Sequence, residues 1–195
     1  SVSKAVEIAK RARGKSAILI AGSNPPVEDC YQVERTISQK DLEWNHKVHI
    51  DALMESGCDF IMNETQSHFD EIKFISKYCG ENHIPFVMDF FFLDKPKLLS
   101  GENLSDAIDY VLKYHPLAIG FNCITFEALE NAVKRLKPEI TWGFYLNCGG
   151  GKLTDKFGYY PVMLGTLTFG GFSFFVLGLL HDYTWICVMT FILAM

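Results

Sequence analysis

The sequence predicts an α/β fold built on a parallel sheet. Three observations carry that expectation: short apolar runs alternate with amphipathic segments, the amphipathic segments bear helix start and stop signals, and each apolar run ends in polar residues. The chain has 195 residues, 49% of them hydrophobic and 21% charged, enough apolar material for a sizeable core. Its strand candidates are residues 17–21, 59–62, 85–88, 117–121 and 143–146. Each is short and mostly apolar, as strands covered on both faces must be.

The helices announce their ends. Ser38 with Asp41, Ser67 with Asp70 and Asn103 with Asp106 set a capping oxygen three residues before a carboxylate. Such pairs satisfy orphan N–H groups and put negative charge at the positive end of the helix dipole. Gly57, Gly80, Pro116 and Pro138 are the expected stops. Leu104, Ala107, Ile108, Val111 and Leu112 follow the stripe of a helix packed on a sheet. The connection at residues 23–38 is long for a βα loop, and such loops serve binding sites, so Pro25, Pro26 and Tyr31 are expected to border the pocket.

Composition narrows the partners. A net charge of -5 and no Lys/Arg-rich run argue against nucleic acid and for a small-molecule ligand. The six cysteines are widely spaced with no CxxC pair, and no signal segment opens the chain, so a reducing cytoplasmic setting is expected.

Polar and metal-capable residues gather at one end of the sheet: Ser23 after the first strand, Glu64 and Thr65 after the second, Asp89 after the third, Asn122 and Cys123 after the fourth, Cys148 after the fifth. In parallel α/β folds that end is the active face. Taken alone, Cys123 reads as a small buried residue and Glu64 as a solvated carboxylate. Cys58 and Cys79 read as core cysteines. His46 and His49, one helical turn apart, read as surface or interface histidines on a helix away from the strand ends.

Four segments carry a family resemblance. AGSNPP (21–26), ESGCDFIMNET (55–65), FNC (121–123) and YLNCGG (145–150) stand in the order and at the separations of motifs in homocysteine S-methyltransferases, which this chain resembles over about its first 150 residues. The resemblance implies a TIM-type (β/α)8 barrel in which Zn2+ activates the thiol of homocysteine for methylation to methionine. It implies Cys123 as one zinc ligand, with Cys148 as a weaker candidate for another. Glu64, Thr65 and Asn122 become substrate-binding residues, Glu64 holding the amino group. The donor would be S-methylmethionine or S-adenosylmethionine.

The chemistry behind that site is general. An alkyl thiol with a pKa of about 8.5 is mostly protonated at neutral pH, and only its thiolate is a strong nucleophile. Zinc held by three cysteines keeps a fourth position open for the substrate sulfur and lowers its pKa. No protein group need act as a general base toward the methyl donor.

The barrel is expected to be incomplete. About five βα units are legible; the first two strands and the last, which carries an adjacent cysteine pair in the family, have no match here. Open sheet edges would offer a route to oligomers. Every Lys, Arg and Glu lies at or before Lys156, and beyond it the only charged side chain is Asp182. Residues 1–156 therefore read as the partial barrel and 157–195 as an apolar tail. Two readings of the tail stand: a membrane segment over residues 157–180, or sequence not native to the family. The rival to an active methyltransferase is an inactive barrel remnant, tethered if the tail spans a membrane, that lacks two of three zinc cysteines.

Overall fold

The computed structural model describes residues 1–146. In chain order it contains α1 (Val2–Arg13), β1 (Ala21–Asn24), α2 (Gln39–Ser56), β2 (Phe60–Gln66), α3 (Phe69–Glu81), β3 (Phe86–Phe90), α4 (Leu104–Leu112), β4 (Ala118–Asn122), α5 (Phe126–Val133) and β5 (Trp142–Tyr145). The strands form one parallel sheet in the order β1-β2-β3-β4-β5, so each βα unit delivers its next strand beside the last. Every predicted strand is present. The first is displaced: pairing starts at Ala21 opposite Phe60, while Ile18 and Leu19 lie exposed. Apolar character marked those residues, but β2 begins too late to offer them a partner.

One face of the sheet is sealed by helices. Ile61, Phe86, Met88, Phe90, Ile119 and Phe121 are fully buried there, together with Ile50 of α2, Ile72 and Ile75 of α3, and Ala107 and Val111 of α4. The stripe expected on α4 faces this core, with Leu112 only partly buried. Cys58 and Cys79 are core residues, and burial pushes the Cys79 thiol up to about 12. Among the described residues no helix is long and apolar enough to cross a membrane, and residues 157–195 lie outside them.

The helix ends follow the sequence in part. Ser38 caps α2 by accepting the Asp41 N–H at 3.2 Å, and Gly57 closes it at φ 89°. Elsewhere local competition wins. His68, not Ser67, is the N-cap of α3, because the Ser67 hydroxyl is engaged with His68 Nδ1 at 2.9 Å. Asn103 starts α4 without capping it, its amide donating instead to the Asp106 carboxylate at 3.1 Å. Gly80 lies inside α3, which runs on to Glu81; a Cβ there would sit 2.7 Å from the Tyr114 ring, so close packing explains this glycine better than a helix stop.

A buried polar chain ties the long loop to this scaffold. The Val87 carbonyl accepts from Asn63 Nδ2 at 2.9 Å, Asn63 Oδ1 accepts from Asn24 Nδ2 at 2.8 Å, and Asn24 Oδ1 faces His46 Nδ1 at 3.2 Å. His46 Nε2 lies 2.6 Å from Glu71, which also accepts from Arg35 at 2.9 Å and from the Val27 N–H at 2.8 Å. A carbonyl can only accept, so its orientation propagates through both asparagines and makes His46 Nδ1 the donor to Asn24 Oδ1. His46 is therefore a core residue and not the surface histidine its helix position suggested. Its neighbour His49 does reach a strand end, meeting the Ser23 carbonyl at 3.0 Å.

Removing Glu71 would leave His46 without its buried carboxylate and Arg35 with Asp70 alone, a change that costs about 3–5 kcal/mol in comparable buried pairs. Glu71→Ala should lower unfolding stability on that scale in urea titrations and accelerate hydrogen exchange at the Val27 amide. A loss under about 1 kcal/mol with unchanged exchange would show that the network does not hold the loop.

Candidate functional site

The carboxyl ends of the strands carry Ser23 (β1), Glu64 (β2), Asp89 (β3), Asn122 and Cys123 (β4) and Tyr145 (β5). The register between β2 and β3 shifts between Asn63 and Gln66. A bulge of this kind re-aims the side chains that follow it. Within it Thr65 adopts φ 56°, a left-handed conformation costly for a β-branched residue.

Asn122 holds Thr65 in that conformation from two strands away. The Thr65 N–H donates to Asn122 Oδ1 at 2.9 Å, and Asn122 Nδ2 donates to Thr65 Oγ1 at 2.7 Å. The same amide lies 3.6 Å from Cys123 Sγ. Cys123 is itself left-handed, φ 57°, with its N–H on the Tyr145 carbonyl at 3.2 Å. A single amide thus contacts both Thr65, the residue after Glu64, and the Cys123 sulfur.

Around this bridge the titratable groups face one another. Glu64 accepts from Ser23 Oγ at 3.1 Å. Tyr31, from the long loop, packs edge-on against Phe91 at 4.9 Å between ring centroids. A hydrogen bond to the Cys123 sulfur, reinforced by partial burial, pushes the Tyr31 phenol up to about 12. Asp89 is 2% exposed and accepts from the Tyr145 hydroxyl at 3.2 Å. Burial outweighs that bond and, with the nearby Glu64 charge, raises Asp89 to about 6. The Tyr145 ring is partly exposed, but its hydroxyl turns inward, where lost hydration and the charges of Asp89 and Glu64 hold it well above the ordinary phenol range.

The structure therefore brings Glu64, Thr65, Asn122 and Cys123 onto one rim. Cys148 lies outside the described residues. Of the loop residues expected at the pocket, Tyr31 reaches Cys123, whereas Pro25 and Pro26 line a separate hollow of about 230 Å³ with Asn45, His46 and His49. The sequence sets Asp89 at a strand end without pointing to a role for it, and no motif singles out the Tyr145 hydroxyl. The signal for Asp89 is a carboxylate immediately after the apolar run 85–88.

Comparison with known proteins bears on this rim. A family model described as homocysteine S-methyltransferase matches residues 1–164. The homocysteine S-methyltransferase of Escherichia coli (strain K12) is 25% identical over 151 residues, covering 69% of this chain and 49% of that protein. The chain thus spans about half the length of this curated relative. The crystal structure of the homocysteine methyltransferase MmuM from Escherichia coli in its metallated form superposes with a TM-score of 0.67 at 25% identity, covering 83% of this chain and 60% of that one. The apo form of that enzyme gives 0.65 at 26% identity, covering 83% and 62%.

Asn122→Ala would remove both bonds to Thr65 and leave a buried N–H unpaired, a loss of about 1–3 kcal/mol. Asn122→Asp keeps the acceptor for that N–H and should lose less. Urea unfolding of both variants checks the ranking; equal stability of Asn122→Ala and the parent chain would show that the bridge contributes nothing.

Proposed function

The chain belongs to the homocysteine S-methyltransferase family, and from that premise we propose that it transfers a methyl group to the sulfur of homocysteine, giving methionine. The observation that carries this reading is the Asn122 bridge, which sets Glu64 and Cys123 on one rim of the sheet. Glu64 would take the amino group of homocysteine through a charge-assisted hydrogen bond, and Thr65 and Asn122 would fix the backbone around it. Held there, the substrate presents its sulfur toward Cys123. The parallel sheet, with its strands in sequential order, supports reading the five βα units as part of a TIM-type (β/α)8 barrel.

The implied metal fits these residues only in part. A catalytic zinc takes three protein ligands and leaves one position open. Cys123 offers one thiolate, and among the described residues no group of three His, Cys, Asp or Glu converges on a point. The described residues therefore do not by themselves fit Zn2+. A zinc cofactor would draw its remaining ligands from outside residues 1–146, Cys148 being the nearest cysteine in sequence.

That shortfall favours one rival: a barrel that binds the amino acid but does not catalyse. Residues 1–156 are proposed as the barrel portion and 157–195 as a distinct tail; the family match crosses that boundary to residue 164. The methyl donor is proposed to be S-methylmethionine or S-adenosylmethionine. A cytoplasmic setting is proposed, in keeping with six widely spaced cysteines and no CxxC pair.

Two variants divide the roles. Glu64→Gln should weaken homocysteine binding about tenfold to a hundredfold, the scale of a lost bond to a charged group, while leaving zinc content unchanged. Cys123→Ala should lower zinc content. Metal analysis and calorimetric titration of the full chain measure both; about one zinc per parent chain supports the methyltransferase, and none after zinc-replete expression supports the non-catalytic barrel. Equal loss of both ligands in Glu64→Gln would refute its assignment.

A further inference from the structure

We propose that Asp89 is a second substrate-binding carboxylate, sharing the ammonium group of the amino acid with Glu64. This rests on the amino-acid site proposed above and adds a residue to it.

The placement comes from the backbone. Asp89 pairs with Gly120, and Gly120 with Gly143, so two glycines lie side by side next to the carboxylate. A Cβ on Gly120 would fall 1.4 Å from Asp89 Oδ1. The Asp89 side chain therefore lies flat over β4 in space that only glycine leaves, on the face opposite buried Met88 and Phe90. Its Oδ2 is oriented by the Tyr145 hydroxyl at 3.2 Å, much as Glu64 is oriented by the Ser23 hydroxyl at 3.1 Å. Each carboxylate has a neutral donor on one oxygen.

Among the described residues no cation pairs with either carboxylate. The ion pairs of the described residues are Arg13–Asp59, Arg35–Asp70, Arg35–Glu71, His46–Glu71, Lys47–Asp51, Lys77–Glu81 and Lys137–Asp109, and none involves Glu64 or Asp89. The titratable groups around Asp89 are Glu64 from β2 and Tyr145 from β5, with Cys123 at the end of β4 near Tyr145; β4 itself contributes Gly120. All are neutral or negative. A buried carboxylate beside a second carboxylate attracts a proton when the site is empty and an ammonium when it is filled.

A proton linkage follows. With its pKa raised to about 6 in the empty site, Asp89 is partly protonated near that pH. An ammonium favours the ionised carboxylate, so binding expels the proton, and affinity rises as pH increases through about 6. The group is fully ionised well above that pH, and the dependence then vanishes.

L-Methionine is the probe, because it carries the ammonium of the product and no thiol to titrate. Isothermal calorimetry on the full chain from pH 5 to 8, at pH 6 in two buffers of different ionisation enthalpy, should show proton release and tightening affinity. Asp89→Asn should bind about tenfold to a hundredfold more weakly and lose both the release and the pH dependence. Gly120→Ala keeps the carboxylate but displaces its flexible end, and should weaken binding in the same direction. Methionine affinity and proton release unchanged in Asp89→Asn, with Glu64→Gln still impaired, would overturn the role of Asp89 alone. Absence of methionine binding by the parent chain, or indifference of binding to Glu64→Gln, would overturn the amino-acid site itself.

Discussion

The paired hydrogen bonds between Thr65 and Asn122 are the constraint on which the rim depends. β2 and β4 are not neighbours; β3 runs between them, so no ladder of backbone bonds relates their ends. The asparagine amide supplies that relation through 2.9 and 2.7 Å bonds, across strands whose order is otherwise set by apolar packing. Thr65 and Cys123 are both left-handed, a conformation that costs on the order of 1–3 kcal/mol for each such residue. The bonds from Asn122 to Thr65 and from the Cys123 N–H to Tyr145 offset that cost locally. Strain of this kind persists where the surroundings over-determine it, and here Asn122 and Tyr145 supply those surroundings.

β2 carries two unlike tasks on its opposite faces. Asn63 turns to the helix side and joins the chain running from the Val87 carbonyl through Asn24 and His46 to Glu71 and Arg35. Glu64 turns to the other side and meets Ser23. The helix-side chain pins the long loop by Val27 and Arg35, and the loop in turn delivers Tyr31 to the Cys123 sulfur. Loop order and site geometry are thus coupled through buried hydrogen bonds. Such networks favour one arrangement because any unpaired member would be expensive in a dry interior.

Much of this was legible in the sequence because parallel strands and their polar ends are local patterns. The residues at 64, 65, 122 and 123 stood out at the ends of apolar runs, and all four meet on the rim. The failures have physical causes. Residues 17–20 look like a strand, but register is set by the partner, and β2 starts at Phe60. His46 looks like a surface or interface residue because it becomes a core residue only through Glu71, a pairing across 25 positions that periodicity cannot reveal. Gly80 looks like a helix stop, yet its reason lies in the Tyr114 ring. The place of Asp89 depends on two in-register glycines, a property of three strands at once.

The most direct measurement is a crystal structure of the full chain grown with homocysteine and zinc. It should show the ammonium of the amino acid on Glu64 and the sulfur directed toward Cys123, with Asn122 still bonded to Thr65. Homocysteine bound away from the strand ends, or Glu64 and Cys123 turned to opposite faces of the sheet around an empty rim, would contradict the proposed function at its root.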